Sequence, residues 1–169
     1  IGVRRIRGLD GNADGIPDVD LGAYERLDVI YVDVDEAKAT GSDDGTSWVN
    51  AYHSLQDGID DAAAKVADPA ARFDYIMVAD GVYTPDDAVN LGRNASFTLA
   101  EGVAIYGGFH GYIGVANTGE TALAQRDVRT YKTVLTGDLK GDDTISGGNR
   151  TDNAYHVVTA AADGIVVAG

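Results

Sequence analysis

Cysteine is absent from the chain, which removes disulfides, thiolate metal centres and cysteine nucleophiles together. Methionine occurs once, at Met77, tryptophan once, at Trp48, and glutamate only four times. No apolar run exceeds a few residues, so no segment reads as a membrane span or a signal peptide. Basic residues are scarce: 13 against 27 acidic ones, for a net charge of −14. Repulsion then replaces the counterion-release gain of nucleic-acid binding, and anionic membrane surfaces are disfavoured for the same reason. A chain that opens at Ile1 and holds its single methionine at position 77 reads as a processed product or an excised piece.

What is present is Asp and Gly. Of the 27 acidic residues 23 are Asp, and there are 22 Gly. Helix-rich acidic proteins prefer Glu, whereas Asp belongs to turns, caps and calcium loops. The 169 residues, 44% of them apolar, suffice for a core without staples. The composition describes short strands joined by many tight turns, and its calcium-loving Asp favours the outside of a cell.

The run Asp10-Gly-Asn12-Ala-Asp14-Gly15-Ile16-Pro-Asp18 has calcium-loop spacing. Oxygens of Asp10, Asn12 and Asp14 occupy loop positions 1, 3 and 5, and Gly15 allows the bend. Ile16 offers its carbonyl, and Asp18 reaches from position 9, often through water. Position 12 is Leu21 rather than the usual closing acid, so Asp20, Glu25 or water must complete the shell of the expected Ca2+.

Further on, Asp28–Val34 alternates as a strand does. The one convincing helix starts near Ser54, a suitable N-cap. Leu55, Ile59, Ala62 or Ala63, and Val66 then form an apolar stripe, which Asp68-Pro69 ends. Gly58 inside it suggests close packing. After the helix come only short apolar runs: Tyr75–Ala79, Ser96–Leu99, Val103–Tyr106, Thr133–Thr136, Tyr155–Thr159 and Ile165–Ala168, each punctuated by Gly or Asp-Gly. No spacer reads as a second helix, which excludes repeated βαβ units. An antiparallel sandwich or a β-solenoid remains. The scarcity of two-residue hairpin turns and the helix ahead of the strands favour the solenoid.

Several blocks then point to a family. Ile30-Tyr-Val-Asp33, Gly45-Thr-Ser-Trp-Val-Asn-Ala-Tyr52, Ser54-Leu-Gln-Asp57, Val78–Pro85, Gly102-Val-Ala-Ile-Tyr-Gly-Gly-Phe109, Gln125-Arg-Asp127 and Asn153–Val158 occur in this order. Together they resemble the N-terminal cap and first rungs of pectate-lyase-like right-handed parallel β-helix proteins, the polymorphic-outer-membrane-like surface proteins of bacteria. The Asp10–Asp18 loop is similar to thrombospondin type 3 and dockerin loops. Asp18–Glu25 looks like a motif that closes such β-helix regions. The resemblance implies an all-β fold: a right-handed parallel β-helix with an N-terminal capping helix over residues 28–169. Residues 1–27 would be the calcium-loop tail of a preceding module.

Enzymes of that superfamily use paired carboxylates, but adjacent Asp residues on a strand point to opposite faces. Gly108-Phe-His-Gly111 resembles the Gly-His-Gly element of its hydrolases with a Phe inserted, and Asp138 with Arg126 or Arg129 is a nominal lyase pair. His53, His110 and His156 lack metal spacing and read as turn or wall residues. The nine tyrosines with Trp48 would make a sugar shelf if exposed, though such residues are more often half-buried in strands. Asp138, Asp142 and Asp143 around Gly141 are a second calcium candidate or a solvated turn. The expectation is a non-catalytic structural or adhesive module of a secreted or cell-surface bacterial protein, rigidified by calcium. Its partners would be adjacent modules, identical subunits or a polysaccharide. One alternative is a filament subunit adding strands at open ends, through Ile1–Arg7; another is the non-catalytic part of a polysaccharide lyase or glycosidase.

Overall fold

The computed structural model describes residues 28–68, 73–85, 92–114, 119–160 and 165–169. Residues 1–27, and with them the expected calcium loop of Asp10, Asn12, Asp14, Ile16 and Asp18, lie outside the described residues.

The alternating run after Asp28 forms β1 (Val29–Val32). Ser54 caps α1 (Leu55–Ala67), its Oγ accepting the Asp57 amide at 3.3 Å. The later runs give β2 (Tyr75–Ala79), β3 (Gly81–Tyr83), β4 (Phe97–Leu99), β5 (Ala104–Phe109), β6 (Thr133–Leu135), β7 (Val158–Ala160) and β8 (Val166–Ala168). All ladders are parallel. Strands β1, β2, β5 and β8 lie side by side in that order; β3 pairs with β6, and β4 with β7. Thus β2, β3 and β4 enter three different sheets, and β5, β6 and β7 return to them in the same order.

The expected all-β right-handed β-helix solenoid is corrected by this arrangement. The strands divide into three small parallel sheets, two of them with only two strands each, and no continuous solenoid forms among the described residues. Nor is the helix merely a lid. Leu55, Ile59 and Ala62 belong to the main core with Ile30, Val32, Ile76, Val78, Phe97 and Ile105. Short runs cannot enclose a core from strand surface alone, and α1 supplies the missing apolar face.

The four-stranded sheet is covered on both faces, as parallel sheets require. Ile30, Val32, Ile76 and Val78 face α1. Val29, Tyr75, Met77 and Ala79 face the other way, against Trp48 and Phe109. All five residues of β2 are accordingly buried. Between Met77 and Ala79 the pairing with β5 shifts register. This bulge lies at Gly107-Gly108, where the Thr133 hydroxyl accepts the Gly108 amide and donates to the Ala79 carbonyl.

Candidate functional site

Where β1, β2 and β5 end, their next residues are Asp33, Asp80 and His110. A parallel sheet brings such C-terminal positions to one edge. Asp33 has no exposed surface. Its Oδ1 accepts the Asp35 amide at 3.0 Å, while its Oδ2 has no partner of good geometry. Burial raises its pKa above the ordinary 3.8 and prevails over the opposing Asp35 amide, Lys38 charge and weakly placed Tyr112 amide; the Asp35 charge adds to the rise. The ammonium of Lys38 lies 3.3 Å from Asp80 Oδ1 and donates to the His110 carbonyl at 3.4 Å.

A segment after β5 roofs this edge. Gly111, at φ +83°, lies so close that an added Cβ would meet Asp33 Oδ2. The His110 amide donates to Glu120 Oε1 at 2.7 Å, and the Trp48 indole donates to the Glu120 carbonyl at 2.7 Å. Underneath, the Tyr83 hydroxyl donates to the Ala79 carbonyl and accepts the Val34 amide. Burial drives the Tyr83 pKa far above its ordinary value. Asp33 has no surface from which to reach a substrate, so the row is architectural in this conformation.

The other sequence candidates separate. Asp138, Asp142 and Asp143 offer carboxylate oxygens within 4.8 Å of one another. Asp138 already accepts the Asp142 and Asp143 amides, which hold its carboxyl below the usual range. The triad is exposed and not specific for a metal. Arg126, the nominal lyase base, donates to the Gly107 and Ala168 carbonyls and lies over the Tyr106 ring, tying β5 to β8. Phe109, the residue inserted in the hydrolase-like element, is core. Trp48, the centre of the imagined sugar shelf, is 2% exposed and edge-on to Tyr31 at 4.9 Å. His53 lies at a turn, its Nε2 donating to the Ala39 carbonyl at 2.7 Å.

The two ends of the four-stranded sheet differ. On the outer edge of β1, the Tyr31 amide donates to the Gly45 carbonyl, and Tyr52 exchanges bonds with Tyr31 and Asp33. At the far end, among the described residues, β6, β7 and β8 each pair on one side only. Core-facing residues of β7 and β8 are uncovered. Val167 aligns with Ile105, yet is 52% exposed against 4%. Val158 aligns with Phe97 and is 38% exposed against 1%. Open strand ends were expected from the sequence, but not which side chains they uncover, because an uncovered valine and a buried one look alike in a strand pattern.

Comparison with known proteins brings no match to a family model, a curated protein or a solved structure. No helix among the described residues is long and apolar enough to cross a membrane.

Proposed function

We propose that the chain is a non-catalytic structural module of a secreted or cell-surface protein. It joins an adjoining module, in the same chain or an identical copy, by accepting parallel strands on β6, β7 and β8. The observation carrying this reading is the exposure of core-facing Val158 and Val167 beside strand edges that no described residue pairs, while the other end of the sheet is bonded to the Gly45–Tyr52 segment. Such edges are templates for strand addition. Charge favours the same end. Residues 28–68 hold ten acidic and two basic residues, whereas 126–160 hold five of each, so a partner meets the open end without net repulsion.

Sedimentation velocity over a micromolar range tests this. The wild-type chain should associate reversibly, and the Val158→Asp/Val167→Asp variant should remain monomeric with an unchanged circular dichroism spectrum. A wild type that is monomeric throughout overturns joining to an identical copy and leaves joining to an adjoining module of the same chain. The Asp10–Asp18 loop is the other part of the proposal, with calcium stiffening the connection to a preceding module. Calorimetry should register calcium binding that Asp14→Ala removes, without shifting the melting of residues 28–169.

A further inference from the structure

The open end and the acidic Asp138 turn do not involve the most deeply buried ionisable group of the described core. Asp33 is fully enclosed, yet only one of its oxygens accepts a hydrogen bond of good geometry, and burial outweighs the Tyr112 amide that favours its ionised form. An ionised carboxylate removed from water needs a charge partner and several donors. The cation acting on it, Lys38, is shared with Asp80 and the His110 carbonyl. Among the described residues the remaining ionisable neighbours give it no second cation. Asp35 follows on its own turn, Tyr83 approaches from β3, and Asp80 lies at the end of β2. His110 and Glu120 belong to the roof, where His110 Nδ1 and Glu120 Oε2 are themselves buried without partners. The Gly111 backbone packs against Asp33 so closely that it leaves no room for even a methyl group.

We propose that Asp33 is a proton-operated latch: neutral, it lets the Gly111–Tyr112 backbone close over the ends of β1 and β2, and ionised, it loosens that closure. The proton released on ionisation passes to solvent. This inference is independent of the proposed joining of modules. Its sign follows from the direction of the shift. A carboxyl raised above its ordinary 3.8 contributes stability that is complete below that value and is lost as pH rises through the higher folded-state value. The closure is therefore tighter in acid. It is transmitted to Trp48, whose indole is bonded to Glu120 in the same roof.

Two readouts follow the latch between pH 4 and 8: hydrogen exchange at the Gly111 and Tyr112 amides, and the emission of the single tryptophan. In the wild type, protection of these amides should fall by about tenfold per pH unit through the titration, since one pKa unit is a factor of ten. Trp48 emission should move to the red over the same interval. Asp33→Asn keeps the Oδ1 acceptor for the Asp35 amide and removes the charge, so protection should stay high at every pH. Lys38→Gln removes the cation that favours ionisation and should move the transition to higher pH. The second variant carries the test if Asp33→Asn fails to fold. Absence of a transition in the wild type, or a transition that neither variant alters, overturns the proposal.

Discussion

Gly58 sets two residue-scale effects against each other. In an exposed helix, replacing it with alanine would gain about 1 kcal/mol from propensity. Here an added Cβ would lie 2.7 Å from Val32 Cγ2, the branch of a stiff, fully buried side chain on β1. Overpacking of a formed core costs about 1–3 kcal/mol, so the clash wins. Gly58→Ala should lower the urea midpoint at constant slope; a higher midpoint would mean that α1 is free to shift away from β1. The close approach was legible in the sequence, since a glycine on the apolar stripe of a good helix needs a packing reason. The burial of Asp33 was not. An Asp after a strand usually faces water, and what encloses this one arrives from Gly111, 78 positions along the chain.

At the scale of elements, α1 and most strands follow from local pattern. Ser54, the Leu55–Ile59–Ala62 stripe and Asp68 mark the helix within a residue. Ser54→Ala removes a 3.3 Å cap bond, long for its kind, and should cost about 0.5–1 kcal/mol in thermal or chemical unfolding. A loss above about 2 kcal/mol would show that Ser54 does more than cap. Strand β3 escaped recognition because it has three residues, of which only Tyr83 is buried, and it follows an Asp-Gly that reads as a turn. Val158 and Val166 look like ordinary strand residues in sequence. Their exposure arises from the pairing of whole strands, which no window of neighbouring residues contains.

For the whole molecule, charge is the term most open to experiment. Ten acidic residues against two basic ones in 28–68 repel one another, and salt screens charges separated by more than about 8–10 Å. Raising sodium chloride from low to about 0.5 M should therefore raise the melting temperature, by about 2–4 °C for each kcal/mol of repulsion relieved. A fall would mean that ion pairs such as Lys65–Asp61, at 2.6 Å, outweigh the repulsion. In acid, Asp44, Asp127 and Asp138 oppose Asp33. Side-chain and backbone donors of Thr46 and Thr130, and the Asp143 amide, hold their values low. What they contribute is present above the ordinary carboxylate value and is lost as pH falls through the lowered ones. Asp44 and Asp127 are exposed and Asp138 is partly so, and solvent keeps the effect small.

The sequence by itself determined the approximate positions of α1 and of seven of the eight described strands, the acidic balance and the lack of any long apolar run. Caps, apolar periodicity and turn residues act within a few positions, and they can be read in order along the chain. Tertiary structure decided the rest among the described residues: three small sheets rather than one solenoid, a helix that is core rather than lid, Trp48 buried beneath a roof, and one end of the sheets left uncovered. Each of these depends on which distant segments pair and how completely their side chains exclude water. Pairing energy is gained only after the loops between them have closed, so it leaves no local pattern to read.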